Sequence, residues 1–334
     1  MGFKANADRE CGMPQFFAYN GDADGLCALQ QLRLAERPQD AILITGVKRD
    51  IKLLSRINAQ PGDEVTALDV SLDSNREGLL RLLDTGIPVR YFDHHHAGEL
   101  PTHAHFTSYI DTSPQVCTSL LVDRFLGGRY HAWAITAAFG DSLPKVAHAL
   151  AQQAGYSADT IATLERLGIC LNYNAYGESI PDLHFDPVEL AAGMLPYADP
   201  LDFARESAVC AQLFAGYEAD MSLARELSPL REVPGALLLV LPDAAWARRV
   251  IGVLANELMH EKPSSAIALL SPRANGSYTV SLRVPANSRV AADEFCLRFP
   301  TGGGRRTAAG INELPAGELD TFAASFETQF ADAA

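Results

Sequence analysis

The 334-residue chain has no cysteines paired at zinc-site or redox spacing. Its six cysteines, at positions 11, 27, 117, 170, 210 and 296, are scattered, and the chain is far too long for a disulfide scaffold. The expectation is reduced, mostly buried thiols and a cytoplasmic location. Basic residues are scarce as well, with 27 Lys and Arg against 41 Asp and Glu and a net charge of −14. That argues against a broad grip on long duplex DNA, which relies on Lys and Arg neutralising phosphates, but leaves room for a small basic pocket. Long apolar runs are missing too. Ala236 to Leu241 is only long enough for a strand. The opening residues, Met1-Gly2-Phe3-Lys4-Ala5-Asn6, lack the apolar core of a signal peptide, and Asn6 breaks the myristoylation pattern. No membrane partner is expected.

What is present is apolar substance with punctuating acids. Apolar residues make up 48% of the chain, enough for sizeable cores, and the length suggests two domains. Phe16 to Tyr19, Ala41 to Val47, Val65 to Val70 and Pro88 to Phe92 read as strands. Helical patterns fall between them, at Leu26 to Leu34, residues 50–58 and Asn75 to Leu83. Alternating strands and helices predict a parallel α/β sheet with crossover connections. Helices follow at Thr118 to Phe125 and Tyr130 to Phe139, and residues 146–170 and 187–228 continue the helical pattern. Pro229 to Pro234 reads as a linker. Beyond it, strands at Leu237 to Leu241, Ala266 to Leu270 and Tyr278 to Val284, with a helix at Ala247 to Met259, predict a smaller C-terminal α/β domain. The expected partition is 14–185, a helical connection 186–234, and 235–330.

Four polar clusters fall at the carboxyl ends of predicted strands or helices. They are Asn20-Gly21-Asp22-Ala23-Asp24-Gly25, Leu68-Asp69-Val70-Ser71, Tyr91-Phe92-Asp93-His94-His95-His96, and Gly140-Asp141-Ser142. Ligands of parallel sheets bind beyond the carboxyl ends of the strands. Any one cluster reads equally as a capped turn. Together they form an oxygen-rich donor set with imidazole, which suits Mn²⁺, with Mg²⁺ the alternative. Asp69 is placed to bridge two ions, as one carboxylate does in two-metal phosphoryl-transfer sites. Gly302-Gly303-Gly304-Arg305-Arg306 reads as a basic glycine-rich loop that brings backbone N–H groups and guanidinium forks to an anion. Arg283, on the strand leading toward it, is a second anion contact. Tyr173 and Tyr176 offer aromatic faces, for a nucleobase or for packing.

In this order the clusters resemble the DHH phosphoesterase superfamily. Residues 18–25 match its first motif, Asp69 its second, Asp93-His94-His95 the motif that names it, and Asp141 its fourth. Ser281-Leu282-Arg283, Gly302-Gly303-Gly304 and Ala308-Ala309-Gly310 resemble the accompanying DHHA1 domain. The resemblance covers roughly residues 15–145 and 235–312. It implies a parallel-sheet DHH domain that carries the metals, a helical connection, and a DHHA1-like domain that holds substrate. One metal would take Asp24, Asp69, His94 and Asp141, and the other Asp22 and Asp69, with Asn20 beside them. His95, with Asp93, would act at the scissile phosphate. Arg283, Gly302, Gly303, Gly304, Arg305 and Arg306 would hold the substrate's other end.

Three positions depart from the pattern. Ala18 stands where the nanoRNase-like motif has a ligand His, Asn20 where the RecJ-like motif has Asp, and Arg305 where the glycine loop has His. One metal position therefore reads as intact and the other as impoverished. The implied function is a Mn²⁺-dependent phosphoesterase with one or two ions, acting on short oligonucleotides or a small phosphorylated nucleotide. A nucleotide-binding protein without catalysis, and a pyrophosphatase or exopolyphosphatase, are the alternatives. A homodimer is left open by the sequence.

Overall fold

The structure is a computed structural model that describes residues 14–331. The described chain forms two compact units. The first holds the described residues up to Asn172 together with Asp186–Cys210, and the second holds Tyr173–Phe185 and everything from Ala211 onward. The helical stretch at 186–234 is therefore shared between the units rather than standing as a body of its own.

The first unit opens with β1 (Gln15–Tyr19), α1 (Ala23–Glu36), β2 (Ala41–Ile44), β3 (Glu64–Leu68), α2 (Leu72–Asp84), β4 (Val89–Asp93) and β5 (Phe106–Ile110). The five strands form an all-parallel sheet in the order β2-β1-β3-β4-β5. β1 is buried along its whole length, as expected for a strand covered on both faces. Phe16, Ala18, Val65, Ala67, Val89 and Tyr91 join Leu72 and Leu79 of α2 in one core. On alternate positions Phe92 stacks on Tyr109 and meets Phe125 edge-on. After β1 the chain moves to β2 on one side, then returns to β3 on the other. The sheet thus reverses direction between β1 and β3, the place where such folds bind ligands.

Helices α3 (Thr118–Phe125), α4 (His131–Gly140), α5 (Pro144–Gln153) and α6 (Ala158–Asn174) follow, then α7 (Pro187–Met194), α8 (Pro200–Glu206) and α9 (Ala208–Arg225). The second unit adds β6 (Arg231–Val233), β7 (Ala236–Val240), α10 (Ala245–Glu261), β8 (Ala266–Pro272), β9 (Tyr278–Arg283), α11 (Ala292–Cys296), β10 (Gly302–Arg305), β11 (Ala308–Leu314) and α12 (Leu319–Phe330). Its six strands run β10-β11-β9-β8-β7-β6. Phe295, Phe322, Phe326 and Phe330 fill one face of that sheet together with Leu270, Val280 and Leu282.

Several local expectations need correcting. Residues 50–58 hold only a single short turn at Leu54–Arg56, because the segment has too few bonded residues to nucleate a helix. β5 has no counterpart in the sequence reading. The expected linker at Pro229 to Pro234 contains β6, which pairs antiparallel with β7. Residues Gly302–Arg305 form an edge strand of a hairpin with β11, not a loop. Cys27, Cys117, Cys170, Cys210 and Cys296 are buried, while Cys11 lies outside the described residues. Among the described residues no helix is long and apolar enough to cross a membrane.

Candidate functional site

The first acidic group is built by the start of α1. Asp22 caps that helix, with Oδ1 accepting from the N–H groups of Asp24 and Gly25. Asp24, fully buried, points to the first turn of α3. There Thr118 N–H donates to its Oδ2 and Ser119 N–H to its Oδ1, both at 2.7 Å. These are two of the amides that a helix start leaves without intrahelical partners. Asp69 follows β3 in a left-handed conformation, φ 58°, one that Asp tolerates better than most residues. Its N–H bonds to Phe92 at the end of β4, and its Oδ1 accepts from the Thr118 hydroxyl at 3.1 Å. Asp141 caps the C-terminus of α4. That helix end can reach α1 because Gly140 has no side chain. A Cβ there would fall 2.4 Å from Ala23 Cβ and 2.7 Å from the Gly168 carbonyl oxygen.

His94 joins these carboxylates. Its Nδ1 lies 2.9 Å from the Val116 carbonyl. A carbonyl can only accept, so Nδ1 carries the proton. In the neutral ring Nε2 is therefore a bare lone pair, and it faces Asp69 at 3.4 Å, Asp141 at 3.8 Å and Asp24 at 3.9 Å. A ring held through its far nitrogen with the near one exposed to carboxylates is the usual arrangement of a metal-binding histidine. Two groups of ligand atoms meet a metal's reach, each within 4.8 Å, namely Asp24, His94, Asp141 and Asp69, His94, His95.

The electrostatics agree that this cluster calls for positive charge. Burial pushes the Asp69 carboxyl well above the usual range, and the charges of Asp24, Asp22, Asp141 and Asp93 push it further. Asp141 is pushed up to about 6 by burial and by Asp24, against the pull of His94 and Lys48. The Asp141 Oδ2 and Asn20 Oδ1 atoms are buried and accept no hydrogen bond among the described residues. A divalent cation would satisfy such a donor set, and the residue types fit one.

His95 is placed differently. Its Nδ1 is 2.7 Å from Asp93 Oδ1, which also accepts from the His94 N–H at 2.9 Å. Asp93 is fully buried while the His95 side chain is 39% exposed, so the ring has one face on a fixed carboxylate and another open. Burial lowers the His95 pKa, but the Asp93 hydrogen bond and charge, with Asp141 and Asp22, raise it on balance.

The sequence reading missed several partners. Lys48 Nζ contacts Asp22 Oδ2 at 2.5 Å and Asn172 Oδ1 at 2.8 Å. Its position just beyond β2, at the same strand-end edge as the acids, was a usable signal. Thr118 and Ser119, at a helix start, were another. Ala18 packs in the apolar core and offers no donor. Asn20 stands in the first loop, its Nδ2 at 3.5 Å from the Lys48 carbonyl.

In the second unit, strand register organises the basic residues. Arg305 pairs with Ala308, and Ala308 with Arg283. Residues directly opposite each other share a face, so the two arginines flank one alanine on the same face, about 10 Å apart at two strand spacings. The neighbouring row on that face is Gly303, Gly310 and Ser281. Gly302 is required by packing, since a Cβ would fall 1.9 Å from the Cys296 carbonyl oxygen, whereas a Cβ on Gly303 would meet nothing within 4 Å. Gly304 has φ 145° and lies against Ala309. Arg283 donates to Asn256 Oδ1 at 3.0 Å and to Ser281 Oγ at 3.2 Å. It has no carboxylate partner among the described residues, and burial lowers its pKa. Arg306 sits in the hairpin turn and donates to the Ser288 carbonyl at 3.2 Å, so it is tied locally. Tyr173 is not a stacking platform. It is buried, and its hydroxyl is held by Asp220 and by His184 at 2.7 Å.

Residues 235–332 match the DHHA1 domain family. No curated protein matches the chain in sequence. The fold is similar to that of an exonuclease RecJ solved with bound manganese, at 18% identity and TM-score 0.63, covering 94% of this chain and 89% of that one. It is also similar to RecJ from Thermus thermophilus in complex with Mn²⁺, at 19% identity and TM-score 0.63. The match covers 94% of this chain and about half (51%) of that longer one. A third likeness is to the pGpG-specific phosphodiesterase PggH of Vibrio cholerae, at 16% identity and TM-score 0.53, covering 95% and 98% of the two chains. The C-terminal residues thus match the DHHA1 domain family, and the chain as a whole shares the fold of these RecJ and PggH structures.

Proposed function

We propose that the protein is a divalent-metal-dependent phosphoesterase, using Mn²⁺ or Mg²⁺, that hydrolyses short oligonucleotides or a small phosphorylated nucleotide. The observation that carries this reading is the His94 ring, pinned through Nδ1 to a carbonyl with Nε2 turned to three carboxylates. Asp24, Asp69, His94 and Asp141 would hold the ion. When bound, such an ion supplies Lewis-acid stabilisation of a phosphoryl oxygen and an activated water.

The remaining work falls to side chains. Asp93 orients His95 and raises its proton affinity, so the ring can donate from its open Nε2 to a phosphate oxygen as charge develops there. The Thr118 hydroxyl fixes the rotamer of Asp69. In the second unit, Arg283 and Arg305 are the candidate anion contacts, beside Gly303, where a Cβ would meet nothing within 4 Å. An arginine at 305 keeps its charge throughout the neutral range. The net charge of −14 favours a small substrate gathered by these local arginines over a long polymer. The similar folds of an exonuclease and a pGpG-specific phosphodiesterase support the same substrate class.

The test is hydrolysis of a panel with Mn²⁺ and with chelator, comparing wild type with Asp69→Ala. The panel holds a 5′-phosphorylated dinucleotide, 3′-phosphoadenosine 5′-phosphate, a cyclic dinucleotide, pyrophosphate and polyphosphate. Metal-dependent turnover of a nucleotide, lost in the variant, is the expected result. Turnover of pyrophosphate or polyphosphate alone would move the substrate class. Nucleotide binding that survives chelation, with no turnover, would make the protein a binder.

A further inference from the structure

Asp22 is buried at the edge of the acidic cluster, yet neither group of ligand atoms that could hold a cation includes it. Both of its oxygens are already engaged. Oδ1 caps α1 through Asp24 and Gly25, and Oδ2 receives Lys48 Nζ, which also donates to Asn172. Burial would push the Asp22 carboxyl up. The Lys48 ammonium, by charge and by hydrogen bond, more than offsets this and holds it below the usual range. The nearby Asp69 carboxyl also interacts with it. Around the same carboxylate the other donors are weak. Asn20 is a neutral amide, and Ala18 lies in the apolar core.

We propose that the Lys48 ammonium occupies the second cation position of this centre. On this assignment the protein holds one divalent ion, around His94, where a two-ion arrangement would place another between Asp22 and Asp69. The proposal rests on the reading of Asp24, Asp69, His94 and Asp141 as ligands of the first ion. The physical argument is charge compensation. A packed set of carboxylates needs more positive charge than one ion supplies, and an ammonium tethered to the chain provides it permanently. Its single charge and three N–H donors suit Asp22 Oδ2 and the Asn172 amide oxygen. A divalent ion prefers several anionic oxygens, and this side of the cluster does not offer them while Lys48 holds Asp22 Oδ2.

The experiment counts ions directly. Chelator-stripped full-length protein is dialysed against saturating Mn²⁺, and bound metal per chain is measured by elemental analysis, with electron paramagnetic resonance on the same samples. Wild type is expected to bind one Mn²⁺ and to give the six-line spectrum of an isolated ion. Two ions about 3.5–4 Å apart would instead couple magnetically. Lys48→Met, which keeps the stem and removes the charge, is expected to take up a second Mn²⁺ and show that coupling. Lys48→Arg is expected to stay at one. Two ions in wild type, or no second ion in folded Lys48→Met, would overturn the assignment of Lys48 alone. No bound Mn²⁺ in wild type would overturn the underlying reading of the centre as well. The wild-type count stands even if the methionine variant does not fold.

Discussion

Asp24 is gripped at both carboxylate oxygens by successive backbone amides of α3, Thr118 on Oδ2 and Ser119 on Oδ1, each at 2.7 Å. The residue is thus both a candidate ligand and the joint that fastens one helix start to another. Asp24→Asn should test this. An amide NH₂ would face one of these N–H donors in a fully buried place, and an unsatisfied buried donor costs roughly 1–3 kcal/mol. The metal-free variant should show that loss in a denaturant titration. Unchanged stability would mean that the joint carries no strength.

His95 is expected to act on substrate and not as a ligand, since its Nδ1 is taken by Asp93. His95→Gln should lower turnover by roughly 10²–10⁴-fold, the usual contribution of a placed proton donor, while Mn²⁺ affinity stays within a few-fold. A matching loss of affinity, measured by isothermal titration, would make His95 a ligand instead. Asp93→Asn removes the influence that raises the His95 pKa, so the alkaline fall of the pH–rate profile should begin at lower pH.

The acidic cluster gives a signed pH dependence. Asp141 moves from an ordinary 3.8 to about 6 in the folded, metal-free protein, and Asp69 moves in the same direction. Folding such a group costs nothing while it is protonated in both states. The cost grows as pH rises above the ordinary value and is complete above the folded one. Metal-free protein should therefore lose thermal stability as pH rises from about 4 through about 6. Mn²⁺ must displace these protons, so its affinity should weaken as pH falls below about 6. A pH-independent affinity would contradict the raised values.

Gly140 lets the end of α4 rest against α1. Gly140→Ala puts a methyl 2.4 Å from Ala23 Cβ, and overpacking of this kind costs typically about 1–3 kcal/mol. Because Asp141 is the next residue, Mn²⁺ affinity should fall together with the melting temperature. A variant that melts earlier but binds metal normally would show that Asp141 is placed independently of this contact.

Arg283 and Arg305 share a register row. Arg283→Ala should raise KM for an anionic substrate by about 10- to 100-fold, as expected for a charged hydrogen bond of roughly 1.5–3 kcal/mol, with a smaller effect on kcat. A loss confined to kcat would place Arg283 at the reacting phosphate.

The parallel sheet and its acidic ends were legible because alternation of strand and helix fixes where Asp22, Asp69 and Asp93 must lie. The strand row was not, because Gly302-Gly303-Gly304 carries no strand signal. β-Propensity is set by neighbours, and only pairing with β11 makes that segment extended. β5 was missed because its edge position leaves Phe106 to Ile110 half-buried, without a run of core residues. Lys48 escaped notice because its partner, Asn172, is distant in sequence, and a lone lysine in a loop reads as solvated. Tyr173 read only as an aromatic face for a base or for packing, because its polar partners, His184, Asp220 and Arg249, are brought to it only by folding.

The two units interleave along the chain, with borders after Asn172, Phe185 and Cys210. Neither unit is therefore a contiguous piece of polypeptide. During synthesis, the segment from Tyr173 to Phe185 emerges before the remainder of its own unit exists, and it must wait for residues beyond Ala211. The unit with the acidic cluster, in turn, is not complete until Cys210 has been made. Maturation from the N-terminus, the ordinary order for multidomain chains, would therefore complete the first unit while Tyr173–Phe185 still waits for its own. A fragment cut after Phe185 would leave both units missing part of themselves.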